Sequence, residues 1–284
     1  MKYIDLHTHT NRSDGFYRPD VLVRLAKEAG LHALAITDHN EILPDLEVLS
    51  ARHGIELIRG CEFSVAYRSR SGKKVELHIV GLDFDPEHPQ IQAVLQQNHI
   101  DRKPYVDAIL SRLRGCGIEI GTYETLLASY PETKHLGRKA IAYEMTKRGA
   151  VSSVDEAFDL YIGAFGERRA YVKNPGQYVD LKTCISAIRA AGGIPILAHL
   201  YYYQLSEEEN RELLSEFRAL TGAAGGMEVY YAQYNDAQRQ ALLELCREFG
   251  LYPSAGSDFH GQSKKETLRH QFPYALYEAM KSEL

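Results

Sequence analysis

The stretch Tyr3-Ile4-Asp5-Leu6-His7-Thr8-His9 decides the fold, because it joins a short apolar strand directly to two candidate metal ligands. His7 and His9 are two residues apart, so on an extended chain both side chains point to the same side. Imidazole and carboxylate ligands suit zinc, manganese and iron. This stretch therefore predicts a strand whose carboxyl end binds a metal ion.

The same arrangement recurs along the chain, where further apolar runs of strand length lie close to histidine or carboxylate side chains. Strands are predicted at Tyr3–Leu6, Ala33–Thr37, Glu56–Cys61, Val75–Leu82, Ile194–Ala198, Met227–Tyr231 and Tyr252–Ala255. The candidate metal ligands are His7, His9, Asp14, His39, Glu62, His78, His199, Asp258 and His260. In a barrel of parallel strands all carboxyl ends open on one face, so ligands far apart in sequence converge there. One metal centre would account for all of them.

Helical patterns alternate with these strands, which is typical of βα units around a parallel sheet. The segment Pro19–Ala29 begins with a proline and stops before Gly30, and Leu181–Ala191 stops before two glycines. A length of 284 residues is normal for a single α/β barrel. We therefore predict an α/β fold, namely a seven-stranded (β/α) barrel.

The segment 98–165 breaks this rhythm, since it holds helical patterns such as Tyr105–Leu113 and Ala140–Lys147 but no convincing strand. We predict that it forms a small inserted helical subdomain over the mouth of the barrel. The metal-binding barrel would then comprise residues 1–97 and 166–284. The alternative is that the segment forms two long loops of the barrel itself.

Composition excludes several other classes of protein. The formal charge of −5 argues mildly against a protein that coats long nucleic acid. The four cysteines are dozens of residues apart, which supports neither a zinc ribbon nor a redox motif. Met1 lies so close to the first motif that we expect no signal peptide, and no apolar run reaches the length of a membrane span. We expect a cytoplasmic protein with free thiols and no membrane partner.

Four motifs together carry a resemblance to a known family. They are Asp5-Leu6-His7-Thr8-His9, Thr37-Asp38-His39-Asn40, Ala198-His199-Leu200 and Ser257-Asp258-Phe259-His260. In this order they resemble the polymerase and histidinol phosphatase (PHP) group of metal-dependent phosphoesterases, and most of all its stand-alone members with a helical insertion, which act on nucleotide and sugar phosphates. The resemblance implies a distorted barrel that holds two to three divalent ions of manganese, zinc or iron. Leu200 and Lys139 depart from the family's pattern, and these departures concern the substrate pocket rather than the ligands.

The resemblance also implies which residues hold each ion. The first metal would take His7, His9, Glu62 and Asp258, the second Glu62, His78 and His199, and the third Asp14, His39 and His260. Two metals that share a carboxylate lower the pKa of a bound water towards neutrality, which would give a bridging hydroxide able to attack phosphorus. Glu62, His199 and Asp258 are on this basis the predicted catalytic residues.

Cations in the insertion are the candidate phosphate-binding groups. Arg102, Lys103, Arg138 and Lys139 lie at the starts of predicted helices, where helix N-termini also favour anions. Solvated surface charge is the alternative for each of them. Lys173, His99 and His135 are weaker candidates. The run Tyr201–Tyr203 forms either an aromatic wall against a base or ribose, or a partly buried loop.

Three functions compete on these grounds. The first is hydrolysis of a small phosphate ester, such as AMP, a nucleoside 3′,5′-bisphosphate, or a sugar or cyclic phosphate. The second is an exonuclease that trims short oligonucleotides from one end, for which a basic groove leading to the mouth would be the distinguishing feature. The third is a metal-binding regulatory module without turnover, which the complete ligand set disfavours.

Overall fold

A computed structural model describes residues 2–130, 133, 136–261 and 267–283 of the chain. Its centre is an eight-stranded sheet with the strand order β7-β6-β5-β4-β3-β2-β1-β8. The strands are β1 Tyr3–Asp5, β2 Ala33–Ile36, β3 Glu56–Arg68, β4 Lys74–Leu82, β5 Ile194–Leu197, β6 Gly226–Tyr231, β7 Tyr252–Gly256 and β8 Phe272–Pro273. The predicted α/β barrel is confirmed, and each predicted strand is present.

The sheet curls until its first and seventh strands meet. The Leu6 amide donates to the Ala255 carbonyl at 3.1 Å, and the Asp258 amide donates to the His7 carbonyl at 2.9 Å. These hydrogen bonds join the carboxyl ends of β1 and β7 directly. The first and the last of the metal-ligand motifs, which follow these two strands, therefore lie side by side.

Alternation along the strands explains how the barrel is filled and covered. On β2, Ala33 and Ala35 pack inside the barrel, while Leu34 and Ile36 pack outwards against the helix layer. Successive side chains on a strand point to opposite faces, so a run buried on both faces is apolar throughout. Small interior residues leave room for the larger Ile4, Ile196 and other branched side chains of the neighbouring strands.

One strand corrects the expectation of an all-parallel barrel. Strands β3 and β4 form an antiparallel hairpin with pairs running from Gly60↔Leu82 to Arg68↔Lys74, and β4 is also antiparallel to β5. The turn between them is far shorter than the dozen or more residues that a parallel crossover needs. His78 lies within β4, opposite Ser64, as the predicted strand Val75–Leu82 implied. The short β8, which pairs with β1, was not predicted because two residues carry no periodicity.

Helices cover the outside of the barrel and build the insertion. They are α1 Pro19–Glu28, α2 Leu46–His53, α3 Pro89–Asn98, α4 Arg102–Gly115, α5 Tyr123–Ser129, α6 Arg138–Lys147, α7 Val154–Ala157, α8 Leu181–Ala190, α9 Glu207–Thr221, α10 Asp236–Phe249 and α11 Ala275–Lys281. Among the described residues, none of these helices combines the length and the apolar character needed to cross a membrane.

The helices α4 to α7 share an apolar cluster of their own. Val106, Ile109, Leu113, Ile141 and Met145 are buried together in it. A π-helical turn, Phe158–Ile162, closes the group. This separate cluster supports the proposed division of the chain into a barrel, 1–97 and 166–284, and a helical insertion, 98–165.

Candidate metal centre

The structure brings together all the side chains predicted to be metal ligands. His7 and His9 follow β1, His39 follows β2, and Asp258 and His260 follow β7. Glu62 and His78 come from the two strands of the β3–β4 hairpin, and His199 from the end of β5. The convergence of these eight results from the sheet, because each is placed by a strand or by the first residues beyond one. The ninth, Asp14, lies in the turn formed by residues 11–14.

A first group of donors surrounds a single point. The Nε2 atoms of His7 and His9 are 3.1 Å apart, and His9 Nε2 lies 3.1 Å from Asp258 Oδ1. His7 Nε2 lies 3.3 Å from Glu62 Oε1. Tetrahedral bonds of about 2.0–2.1 Å place neighbouring donor atoms roughly 3.4 Å apart, so this donor set fits a zinc-like ion.

Glu62 is the hub of a second group. Its Oε1 lies 2.9 Å from His78 Nδ1 and 3.1 Å from His199 Nε2. Its Oε2 lies 2.9 Å from His39 Nδ1 and 3.3 Å from His9 Nε2. One fully buried carboxylate thus touches imidazoles from both halves of the barrel, which is the position a bridging ligand requires.

A third group gathers around Asp14. Its Oδ1 lies 3.2 Å from His260 Nε2 and 3.8 Å from His39 Nε2. His39 therefore faces Glu62 through one ring nitrogen and Asp14 through the other. The Asp258 carbonyl accepts a hydrogen bond from His260 Nδ1 at 2.8 Å, which leaves Nε2 directed at Asp14.

The electrostatics of the cluster call for positive charge. Burial disfavours ionisation of Glu62, yet attraction to His39, His78 and His7 holds the pKa of Glu62 well below its usual range. Burial likewise opposes the imidazolium of His78, but Glu62 raises the pKa of His78 to about 10. Positive charge is therefore what stabilises the Glu62 carboxylate in this cluster. Divalent cations would supply such charge and would displace any proton from a ring nitrogen that binds them, because imidazole binds metal only when neutral.

Glu228 holds two of the candidate ligands from behind. Its Oε1 lies 2.7 Å from His7 Nδ1, and its Oε2 accepts a hydrogen bond from the His199 amide at 2.7 Å. A carboxylate on one ring nitrogen fixes the tautomer and leaves the other nitrogen free for a metal. Glu228 lies within β6, and nothing in the sequence near it identifies these two partners. Gly256 keeps this contact open, since a Cβ there would lie 2.5 Å from Glu228 Oε1.

Replacing Glu228 with glutamine is expected to weaken metal binding about 10- to 100-fold, the usual cost of losing such a supporting group. The amide can still accept from the His199 backbone, but it removes the negative charge behind His7. Titration of the metal-free protein with manganese or zinc in a calorimeter measures the effect. Glu244→Gln, on the exposed face of α10, is the matched control. Equal affinities for the two variants would contradict this role for Glu228.

Two buried aspartates tie the ligand loops together, and sequence reasoning had assigned them no role. Asp5 Oδ1 accepts hydrogen bonds from the His7 amide at 3.2 Å and the Ser257 amide at 2.9 Å. Asp38 accepts from the Thr10 amide at 2.8 Å and from the Ser13 hydroxyl at 2.5 Å. Burial raises the pKa of Asp5 to about 6. The signal available in the sequence was their place beside ligands at the ends of buried strands.

The backbone is strained where it presents two of the donors. His199 has φ 26° and Asp258 has φ 54°, both in the left-handed region that side chains other than glycine rarely adopt. Such residues persist only where their surroundings fix them, and they concentrate at functional sites. The Tyr231 hydroxyl donates to Asp258 Oδ2 at 2.9 Å and helps to hold that carboxylate.

A cavity of about 610 Å³ lies between the donor cluster and the insertion. Arg102, Arg138 and Lys139 line it, as does Lys173. Arg138 projects into it beside the rings of Phe158 and Tyr171, with centroid distances of 5.8 and 6.0 Å. The cavity therefore joins the candidate metal centre to cations supplied by the insertion.

Lys103 corrects the prediction for the substrate site, since the structure does not bring it to the cavity. Its Nζ pairs with Asp107 at 2.9 Å and Glu124 at 2.7 Å on the outside of the insertion. Lys103 is one residue along α4 from Arg102, and adjacent helical residues do not face the same way. The spacing alone could not say which of the two would turn inwards.

The remaining candidates for contact with a substrate also include residues that line the cavity and residues that do not. Tyr202 and Tyr203 line the cavity, whereas Tyr201 packs against Tyr234. The Tyr203 hydroxyl donates to the Ala198 carbonyl at 2.9 Å and is buried. His99 does not line the cavity, and His135 lies outside the described residues.

Comparison with known proteins gives consistent results. The PHP domain profile matches residues 5–252. A protein of Haemophilus influenzae named 5′-3′ exoribonuclease is 36% identical over 91% of this chain and 90% of its own length. A 3′,5′-nucleoside bisphosphate phosphatase of Chromobacterium violaceum is 29% identical over 92% of this chain and 88% of its own. The solved structure of a proposed metal-dependent phosphoesterase of Bifidobacterium adolescentis superposes with a TM-score of 0.81 and 25% identity, covering 98% of this chain and 95% of that one.

Proposed function

This chain belongs to the PHP domain family of metal-dependent phosphoesterases, and from that premise we propose that it hydrolyses the first phosphodiester bond at the 5′ end of short RNA chains. One observation carries the proposal. A single cavity has the metal-ligand cluster at one side and Arg102, Arg138 and Lys139 at another, so it can bind two phosphates of one nucleotide. The similarity to the Haemophilus influenzae exoribonuclease supports RNA as the substrate class.

The proposed ligands are those that the three donor groups contain. They are His7, His9, Asp14, His39, Glu62, His78, His199, Asp258 and His260. When bound there, two to three ions of manganese, zinc or iron would supply an acidic water as nucleophile and positive charge for the phosphate oxygens. Glu62 would be shared between ions, while Glu228 and Tyr231 keep the ligands oriented. In this proposal Glu62, His199 and Asp258 are the residues on which turnover depends most.

The cations of the insertion give the proposed polarity of the substrate. Guanidinium groups bind phosphate oxygens in pairs, and Arg138 lines the cavity. Glu76, on the same cavity wall, attracts the guanidinium, which packs beside the Phe158 ring and donates a long hydrogen bond to the Ile162 carbonyl. We assign the 5′-terminal phosphate to Arg138, Lys139 and Arg102, and the next phosphate to the metal cluster. Hydrolysis at that second phosphate would release the terminal nucleotide.

A second candidate substrate is a nucleoside 3′,5′-bisphosphate, which differs in one respect from the terminal nucleotide of RNA. In a nucleoside 3′,5′-bisphosphate the same two phosphates are present, but the 3′ phosphate carries no further nucleotide. The similarity to the Chromobacterium violaceum phosphatase favours this substrate. Lys73 and Lys74, at the tip of the β3–β4 hairpin, also line the cavity and offer charge to a following phosphate, which favours RNA.

The test compares four substrates with manganese-loaded protein. They are a 5′-phosphorylated RNA trinucleotide, the same trinucleotide with a 5′ hydroxyl, adenosine 3′,5′-bisphosphate and AMP, with His199→Ala as the inactive control. We expect nucleotide release from the phosphorylated RNA. The RNA without the 5′ phosphate should react at least about tenfold more slowly, because the loss of one hydrogen bond to a charged group has an effect of that size or larger. Turnover of the bisphosphate alone would select the second candidate. Absence of hydrolysis by the metal-loaded protein would contradict both.

A further inference from the structure

Two aromatic side chains are exposed together at the cavity. Tyr202 is 53% exposed and Phe165 is 50% exposed, and both line the space beside the metal-ligand cluster. Their ring centroids are 6.0 Å apart at an angle of 83°. Scattered exposed apolar residues need no explanation, but aromatic rings in contact within a polar cavity mark a binding surface.

Tyr202 is presented to the cavity by its neighbours. It belongs to the 3₁₀ turn Leu200–Tyr203, in which Leu200 and Tyr203 are buried. Its amide donates to the His199 carbonyl at 2.9 Å, and its ring centroid lies 5.4 Å from that of His199. The turn is therefore anchored on both sides while the Tyr202 ring is left accessible. A residue fixed in this way loses little conformational entropy when it binds a partner.

Phe165 reaches the same place from the opposite side. It lies in the segment that returns from the insertion, where Gly163 and Gly166 flank it by two residues and one. The Gly163 amide donates to the Phe158 carbonyl at 3.0 Å, and the Glu167 amide to the Asp159 carbonyl at 2.9 Å. These bonds hold the segment against the π-helical turn. The insertion and the barrel thus each contribute one ring.

The pair also lies where a terminal nucleotide would run. The Tyr202 ring lies beside that of the candidate ligand His199, and Tyr202 lines the same cavity as Arg138 and Asp258. The proposed function assigns one phosphate to Arg138 and the next to the metal cluster. The ribose that joins these phosphates would pass Tyr202, and its base would project towards the two rings.

We propose that the base of the 5′-terminal nucleotide packs in the corner between the nearly perpendicular rings of Tyr202 and Phe165, stacked on one ring and edge to face with the other. This contact would select nucleotides over phosphate esters that lack a base. The inference rests on the proposed function for the direction of the chain. Every base has a π face, so stacking on aromatic residues tolerates all sequences. We accordingly expect little discrimination among bases, with purines favoured over pyrimidines through their larger area.

Calorimetry tests the stacking surface without requiring turnover. AMP and ribose 5-phosphate are titrated into manganese-loaded wild-type protein, Tyr202→Ala, Phe165→Ala and the rescue variant Tyr202→Phe. Stacking of one base on an aromatic residue changes affinity by roughly 10-fold. We expect wild type to bind AMP about tenfold more tightly than ribose 5-phosphate, and either alanine variant to lose most of that difference. Tyr202→Phe keeps the ring and should restore it.

Leu127→Ala serves as the matched control, because Leu127 is also an exposed apolar side chain but does not line the cavity. Equal loss of affinity for AMP and ribose 5-phosphate in Tyr202→Ala would show a merely structural effect and overturn the proposal. So would wild-type protein that does not distinguish the two ligands. Failure to hydrolyse RNA would instead count against the proposed function alone, since the stacking difference is measured by binding.

Discussion

Glu62→Gln is expected to reduce turnover at least a hundredfold, which is the scale of losing a major electrostatic contribution in an active site. The glutamine has the same shape, so the cavity should be preserved. It carries no charge, however, and Glu62 is the one carboxylate in contact with His7, His9, His39, His78 and His199 among the described residues. Without it, two donor groups lose their shared ligand.

Metal content and steady-state kinetics measure this effect together. Glu56→Gln is the control, because it makes the same change on the same strand, where Glu56 accepts a hydrogen bond from the Tyr274 hydroxyl instead. We expect elemental analysis to find fewer manganese ions per chain in Glu62→Gln and an unchanged number in Glu56→Gln. A Glu62→Gln variant with full metal content and normal kcat would refute the bridging role.

Arg138→Ala is expected to lower kcat/KM for 5′-phosphorylated RNA roughly 10- to 100-fold, the range for a charge-assisted hydrogen bond or a bidentate pair. Arg138 is held in the cavity by the rings of Phe158 and Tyr171, and it donates a long hydrogen bond, 3.5 Å, to the Ile162 carbonyl. The guanidinium therefore has donors left for a phosphate.

A substrate with a 5′ hydroxyl shows whether Arg138→Ala loses a phosphate contact or merely folds less well. Since it lacks the phosphate that Arg138 would bind, its kcat/KM should change little in Arg138→Ala. Lys103→Ala, on α4 of the same insertion, is the matched control, and it should leave both substrates unaffected because Lys103 pairs with Asp107 and Glu124. Equal losses on both substrates would argue against a phosphate contact at Arg138, and thermal melting would show whether its packing role explains them.

Stability and chemistry are closely coupled in this site. The carboxylates Asp5 and Asp38 are buried to hold backbone amides and hydroxyls of the ligand loops, rather than to contact a metal. Unpaired buried charges are costly, so each loop is fixed only while its hydrogen bonds are made. The strained residue Asp258 directly follows Ser257, whose amide Asp5 holds, and the amide of the strained His199 is held by Glu228. Positioning of the ligands is therefore a property of the folded barrel as a whole.

Much of the architecture was predictable because its signals are local. Six of the seven predicted strands were predicted within one residue at each end, since short apolar runs bounded by polar motifs are distinctive, whereas β3 continues to Arg68 beyond its predicted end at Cys61. The pair His7 and His9 follows from a period of two on an extended chain. The placement of candidate ligands beyond strand ends then follows from the rule that such ends share one face of a barrel. Their role as ligands stays a prediction.

Other features depended on contacts that no local pattern encodes. The direction of β4 was missed, because periodicity is the same for parallel and antiparallel strands. The turn after Arg68 was too short for a crossover, which was the available clue. Lys103 and Arg102 were indistinguishable in sequence, because the packing of α4 decides which one faces the cavity.

The family, the barrel and the types of side chain offered to a metal follow from the sequence, since strand periodicity and motif chemistry act over a few residues. The carboxylate behind His7 is known only from the folded chain, because Glu228 is 221 residues away along the chain. The contact of Tyr202 with Phe165 across the cavity likewise requires the insertion to be folded back over the barrel. Contacts of this kind arise from the packing of whole elements, and the choice of substrate depends on them.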